Sequence, residues 1–276
     1  MAHAAPRDRP GVYDACMTPP RTVLITGASR GIGAATALAC ARDGWDVAIN
    51  YARDAAAAEA VAAQVRALGR RAIVLQADVA DEAQLLALFT RLDAEFGALG
   101  ALVNNAGIVD VKARVDETSV ARLQRLFAIN VFGSFVCARE AVRRMSTKRG
   151  GKDVNLPAGS GQGGAIVNLS SVAATLGGPG WYVDYAATKG AIDSFTIGLA
   201  REVAAEGIRV NAVRPGIIAT DIHASGGQAD RAFTSGPLIP MQRPGTAEEV
   251  AAAIVWLLSD AASYTTGAIL DVSGGR

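Results

Sequence analysis

Cysteine is scarce in this chain: Cys16, Cys40 and Cys137 are the three in 276 residues. The number is odd, the spacings are long and no Cys-x-x-Cys occurs. That argues against a disulfide framework or a zinc site and for a reducing, cytoplasmic setting. Net charge is nearly absent as well, at +1. A nucleic-acid binder that relies on bulk charge would carry a basic excess. The longest charge-free stretch, residues 154–183, is interrupted throughout by Gly and Ser, so it does not read as a membrane span. Residues 1–20 hold four prolines, two arginines and two aspartates without an apolar centre. They do not read as a secretory signal. They read as a disordered tail, with Met17 a candidate natural start.

What is present is a globular composition, 50% hydrophobic and 19% charged. Length alone allows two domains at ~150 residues each, or one doubly wound domain of ~250. The order of elements favours the second. Apolar, β-branched runs at 22–26, 46–51, 72–77, 101–103, 165–169, 209–213 and 268–272 read as strands. Between them lie helical stretches: from the glycine turn to Asp43, Ala55–Leu68, a segment from Asp81 to Phe96, Val120–Met145, Tyr185–Glu206 and Thr246–Leu258. Gly44 and Gly69 are placed to end helices in the left-handed conformation. Asp81 with Gln84 looks like a capping box. Residues 146–164 read as a polar surface loop, and 217–244 show no strong period. Strands alternating with helices imply a parallel sheet covered on both faces, an α/β doubly wound Rossmann fold of about seven strands over residues 21–276. Ligands in such folds bind beyond the carboxyl ends of the strands.

Three motifs fall at those ends. Gly27, Gly31 and Gly33 lie between a strand and a helix, where the backbone can approach a pyrophosphate and helix N–H groups face it. Their spacing is Gly-x-x-x-Gly-x-Gly, not Gly-x-Gly-x-x-Gly. Asn104-Asn105-Ala106-Gly107 follows the fourth strand. Tyr185 and Lys189 sit four apart on a helix, hence on one face. A neighbouring ammonium favours the phenolate and should draw the tyrosine below its usual pKa of ~10, giving a proton donor or acceptor usable near neutral pH. Alone, this last pattern is common on ordinary helices; its weight comes from the other two.

Together the three motifs, in this order, resemble the short-chain dehydrogenase/reductase family, and in particular its bacterial 3-oxoacyl-carrier-protein reductase-like and glucose dehydrogenase-like members. The resemblance implies an NAD(P)-dependent oxidoreductase. It implies that Ser171 hydrogen-bonds the substrate oxygen, with Ser170 the rival. Tyr185 is then the general acid in reduction and the base in oxidation. Lys189 holds the nicotinamide ribose and lowers the Tyr185 pKa, and Asn130 supports a proton-relay water. For the cofactor it implies Gly27, Ser29, Arg30, Gly31, Ile32 and Gly33 at the phosphates, Tyr51 and Arg53 at the ribose end, and Asp78 and Val79 at the adenine. Asn104, Asn105, Ala106 and Gly107 line the cleft beside Tyr185 and Lys189. Pro215, Gly216, Ile218 and Thr220 cover the nicotinamide.

Charge at the end of the second strand selects the cofactor. An acid ~20 residues past the glycines marks NAD, and a cation marks NADP. This chain has Asn50-Tyr51-Ala52-Arg53 there, with Arg30 inside the glycine turn and Asp54 one place late, where it can cap the next helix. NADP(H) is favoured; NAD(H) is the alternative. The expected partners are a small carbonyl or alcohol substrate and further copies of the chain in a homotetramer. Small residues along the Tyr185 helix permit close approach, and Ile192, Phe195 and Leu199 form a stripe. No metal, nucleic acid or membrane is expected. Trp181, Tyr182 and Asp184 are read as pocket-lining, and Arg214 meets either an anionic substrate or a structural carboxylate. His223 is read as an ordinary solvated loop residue. Arg143, Arg144, Lys148, Arg149 and Lys152 read as a solvated basic helix end rather than a docking site for an acidic carrier. A non-catalytic dinucleotide sensor is the rival function, but it has no use for the Ser171, Tyr185, Lys189 and Asn130 set. A Rossmann-like methyltransferase has no use for Tyr185 and Lys189.

Overall fold

Strand β1 (Thr22–Ile25) is buried along its whole length, and its side chains alternate between two cores. Val23 and Ile25 point into one, Leu24 into the other. A strand buried on both faces belongs at the centre of a covered parallel sheet. The computed structural model describes residues 21–149, 160–222, 226–228 and 230–276. The readings placed on the 1–20 tail, Cys16, Met17, Lys152 and His223 lie outside these residues, as does the middle of the 146–164 loop.

Around β1 run β2 (Asp46–Tyr51), β3 (Ala72–Gln76), β4 (Ala101–Asn104), β5 (Gly164–Leu169), β6 (Ile208–Pro215) and β7 (Ile269–Val272). All pair in parallel in the order β3-β2-β1-β4-β5-β6-β7. The order reverses between β1 and β4, which opens a crevice at their carboxyl ends. On one face pack α1 (Gly31–Arg42), α2 (Ala55–Ala67) and the helix Ala247–Leu258, through Ala37, Cys40, Val61, Val65, Ile254 and Leu257. On the other pack α3 (Glu82–Phe96), the helix Gly133–Met145 and the helix Val183–Val203, through Leu85, Phe89, Cys137, Ala141 and Val203.

The helix expected over Val120–Met145 is continuous but irregular. It runs as α4 (Val120–Phe127), a π-helical turn at Ala128–Phe132 and α5 (Gly133–Met145). Its length and apolar character would suffice to cross a bilayer, but Leu126, Cys137, Ala141 and Met145 are buried in the domain. Short helices α6 (Ala173–Leu176) and α8 (Arg231–Ser235) flank α7 (Val183–Val203), and α9 (Ala247–Leu258) completes the set used below. Neither α6 nor α8 was legible in the sequence, since four or five residues carry too little period.

Two readings need correction. Arg144 is buried, not solvated: its guanidinium donates to both carboxylate oxygens of Asp93 at 2.7 Å and to Glu140 at 3.0 Å. The Gln84 side chain accepts from Asp78 N–H rather than from the cap residue, so Asp81 caps α3 without a reciprocal box.

Candidate active site

The glycine turn is built by contacts that leave no room for side chains. A Cβ on Gly33 would lie 2.5 Å from Asn105 Nδ2 and 2.6 Å from the Gly27 carbonyl oxygen. Gly27 and Gly31 hold φ of 62° and 56°, which favours glycine. Asn105 Nδ2 donates to the carbonyls of Thr26 and Gly27, and Thr26 Oγ1 accepts from the N–H groups of Asn105 and Ala106. The loop after β4 is thereby stitched to the turn after β1. Asn50 completes the cradle from below: its Oδ1 accepts from Gly27 N–H, and its Nδ2 donates to the carbonyls of Leu75 and Ala77. Thr26 and Asn50 carry roles that the motif reading did not assign, though both stood inside quoted segments.

Arg30 precedes α1 in extended conformation and its side chain does not cap the helix, so the first turn keeps open N–H groups. Ser29 and Ile32 are half-buried beside it. At the end of β2, Tyr51 is half-buried and Arg53 exposed; Asp54 accepts from Ala57 N–H at 2.9 Å and is the N-cap of α2. Among the described residues neither Arg30 nor Arg53 forms an ion pair. Asp78 is exposed and accepts from Ala80 N–H, while Val79 is packed beneath Gly133. The segment after β6 folds back over the turn: a Cβ on Gly31 would meet Thr220 at 3.6 Å. Pro215 accepts from Val172 N–H, and Gly216 approaches Ser273 too closely for a side chain. Ile218 follows in the same segment. Its side chain lies in the core, so only its backbone can face the cleft.

The candidate reacting groups lie on the other wall. Tyr185 and Lys189 lie one turn apart on α7, and Ser171, two residues past the end of β5, is near enough to the Tyr185 phenol to lower its pKa. Ser170 is buried, and its hydroxyl donates instead to the Lys189 carbonyl at 3.2 Å. Lys189 Nζ donates to the Leu169 carbonyl at 2.6 Å and stands 5.7 Å from the Tyr185 ring centre. Asn130 sits in the π-helical turn, where the extra backbone residue turns its amide inward. The amide accepts from Ile108 N–H at 2.8 Å and donates to the Ile108 carbonyl and to Thr188 Oγ1. A Cβ on Gly107 would lie 3.4 Å from Asn130 Oδ1 and 3.6 Å from Lys189 Nζ. Thus Asn130, Lys189 and the Asn-Asn-Ala-Gly loop converge on one point.

The electrostatics reverse one expectation. Burial raises the Tyr185 phenol above its ordinary pKa, against the hydrogen bond from Ser171 and the more distant charge of Arg231, which lower it. Lys189 is not the group that draws the phenol down. Its own ammonium is pushed down to about 8 by burial, with Asp193 opposing. Two further readings also resolve structurally. Asp184 accepts from Arg122 Nε at 2.6 Å and from Tyr185 N–H at 2.8 Å, so it anchors the start of α7 rather than lining a pocket. Arg214 forms a forked contact with Asp193 Oδ2 at 3.0 and 2.7 Å, the structural carboxylate of the two options.

These features are those of a nucleotide cradle facing a Ser-Tyr-Lys wall, and similarity to known proteins decides the family. The family described as "Enoyl-(Acyl carrier protein) reductase" matches residues 27–276. An Escherichia coli protein named "Uncharacterized oxidoreductase YgfF" is 54% identical over 253 residues, covering 92% of this chain and 98% of its own length. The chain belongs to the short-chain dehydrogenase/reductase family.

It is accordingly an NAD(P)-dependent oxidoreductase. A second member, cis-4-hydroxycyclohexanecarboxylate dehydrogenase of Sinomonas cyclohexanicum, is 42% identical over 255 residues, with 92% and 96% of the two chains covered. A short-chain dehydrogenase from Burkholderia cenocepacia, solved in complex with NADP, superposes with a TM-score of 0.80 at 36% identity over 93% of this chain and 98% of that one. A separate cleft of about 500 Å³ at the opposite end of the sheet, beside Trp45, Arg209 and Tyr264, holds none of the motif residues.

Proposed function

We propose that this protein transfers a hydride between NADP(H) and a carbonyl or alcohol, with Tyr185 as the general acid in reduction and the base in oxidation. The observation that carries the reading is that Lys189 Nζ stands 5.7 Å from the Tyr185 ring centre and beside Gly107 and Asn130, with Ser171 near enough to lower the phenol's pKa. The glycine cradle fits a dinucleotide, since side chains are excluded from it and α1 presents open N–H groups. When bound, the nicotinamide supplies or accepts the hydride. Gly27, Ser29, Gly31, Ile32 and Gly33 would hold the phosphates; Asp78, Val79, Asn105, Ala106 and Gly107 the adenine and cleft side. Pro215, Gly216, Thr220 and the backbone of Ile218 would cover the nicotinamide end.

In reduction, Ser171 and Tyr185 both donate to the substrate oxygen, which orients the carbonyl and stabilises charge developing there. Tyr185 then gives up its proton at that oxygen. Lys189 would hold the cofactor ribose, and Asn130 would fix the water that resupplies the proton. Preference for NADP(H) over NAD(H) rests on the unpaired Arg30 and Arg53, on the engagement of Asp54 as a cap and on the NADP carried by the Burkholderia relative. The segment 217–244 is the substrate-facing loop. The protein works as a homotetramer in the cytoplasm, where Cys40 and Cys137 stay free. Phe132 and Phe135, 61% and 45% exposed on the outer face of the π-helical turn and α5, are the apolar surface such an assembly covers. The stripe on α7 contributes less than expected, because Ile192 is buried and Phe195 stacks on Phe135 at 3.7 Å.

Loss of the reduced-nicotinamide absorbance with a panel of aldehydes and ketones tests the reading. No turnover with either cofactor across the panel, in either direction, would overturn it. Light scattering after size exclusion tests the assembly: a mass near 28.3 kDa contradicts any oligomer.

A further inference from the structure

Two cations stand beside the residues that lead into α7. Lys112 Nζ lies 3.8 Å from the Trp181 ring centre. The Arg231 guanidinium lies 5.5 Å from Trp181 and 5.1 Å from Tyr182. Neighbouring arginines are all committed: Arg122 to Asp184, Arg125 to Asp110 and Arg214 to Asp193. Among the described residues Arg231 and Lys112 form no ion pair. An aromatic face steadies a cation without neutralising it, so both charges remain available.

The arrangement is held in place. Ala113 N–H donates to the Trp181 carbonyl at 3.1 Å, and Arg122 Nη1 donates to the Val111 carbonyl at 2.7 Å, fixing the chain on both sides of Lys112. Arg231 opens α8, and its N–H donates to the Gln228 carbonyl at 3.0 Å. Between them lies an open cleft of about 400 Å³, lined also by Trp181, Asp230 and Thr234. Among the described residues Asp230 is the sole acid lining this cleft, so two cations face one carboxylate. The cleft lies beside the start of α7: Arg231 stands 5.1 Å from the ring of Tyr182, the N-cap of α7, whose first turn carries Tyr185.

We infer that this cleft binds a carboxylate carried by the substrate itself, with Arg231 as the bidentate fork and Lys112 as the second cation. The inference rests on the carbonyl/alcohol reading of the same site and narrows its substrates to oxo and hydroxy carboxylates. The placement of Arg231 over the N-cap residue of α7, three residues before Tyr185, is what assigns the anion to the substrate. A phosphate on a long carrier arm would lie many bonds from the reacting oxygen. Nothing in the sequence announced Arg231, which falls in a segment without period.

Two measurements test this. In turnover, kcat/KM is compared for levulinate and its methyl ester with the parent, Arg231→Gln, Lys112→Gln and Arg231→Lys proteins. The acid-to-ester ratio should exceed one in the parent and fall about tenfold in each Gln variant, the loss of one charge-assisted contact. Arg231→Lys should keep most of it. A purely structural role would lower acid and ester together, leaving the ratio fixed and overturning the inference while the carbonyl reading stands. The second measurement needs no chemistry: tryptophan fluorescence is titrated with hexanoate and with hexanamide. Hexanoate should perturb the emission at lower concentration than the amide, and the Gln variants should need about tenfold more. Equal responses to acid and amide would overturn the inference even if no carbonyl were ever turned over.

Discussion

Lys189 Nζ donates to the carbonyl oxygen of Leu169 at 2.6 Å, and Leu169 ends β5 just before Ser170 and Ser171. The bond ties α7 to the strand that carries the serine. It thus sets the spacing between Ser171 and Tyr185 while keeping the ammonium buried beside Gly107 and Asn130.

Burial depresses the Lys189 ammonium to about 8, and this has a measurable sign. The charged form is present below that pH and lost above it. NADPH affinity should therefore weaken as pH rises through about 8, and Lys189→Met should flatten this dependence while weakening binding at all pH values. Fluorescence titration across the range checks it. A parent protein whose affinity is level from neutral pH into the alkaline range would remove Lys189 from the ribose.

Tyr185→Phe keeps the ring and removes the proton. It should lower kcat ~10²–10⁴-fold with NADPH affinity nearly retained. Steady-state rates beside a binding titration separate the two, and undiminished turnover would refute the assignment.

Cofactor selectivity should follow Arg30 and Arg53. Replacing both with Gln should weaken NADPH by about tenfold or more and leave NADH nearly as it was, since only the 2′-phosphate loses charge-assisted contacts. Equal affinity of the parent for the two cofactors would count against this placement.

Stability should depend on a pair far from the chemistry. Asp93→Ala leaves the Arg144 guanidinium buried with Glu140 alone, and breaking a buried pair from one side costs about 3–5 kcal/mol. Urea unfolding measures it. A loss below about 1 kcal/mol would mean that the contact behaves as an exposed pair.

The sequence by itself determined the architecture and the chemical inventory. Apolar runs of strand length between helical stretches leave one economical solution, a parallel sheet covered on both faces, and the glycines at 27, 31 and 33 are legible because a close backbone approach tolerates nothing larger. Tyr185 and Lys189 were singled out by their spacing, and Ser171 and Asn130 by the family resemblance; the structure brings Asn130 and Lys189 together beside Gly107. Tertiary structure decided what each side chain spends its bonds on. Arg144, Asp184 and Arg214 look like surface or site residues in one dimension, and become structural once Asp93, Arg122 and Asp193 arrive from distant segments. Spacing on one helix predicted that Lys189 would lower the Tyr185 pKa. The fold reversed that, because desolvation depends on everything packed around the ring and not on the residue one turn away. Arg231 and Lys112 meet over Trp181 only because three segments converge there, and no local pattern records such a meeting.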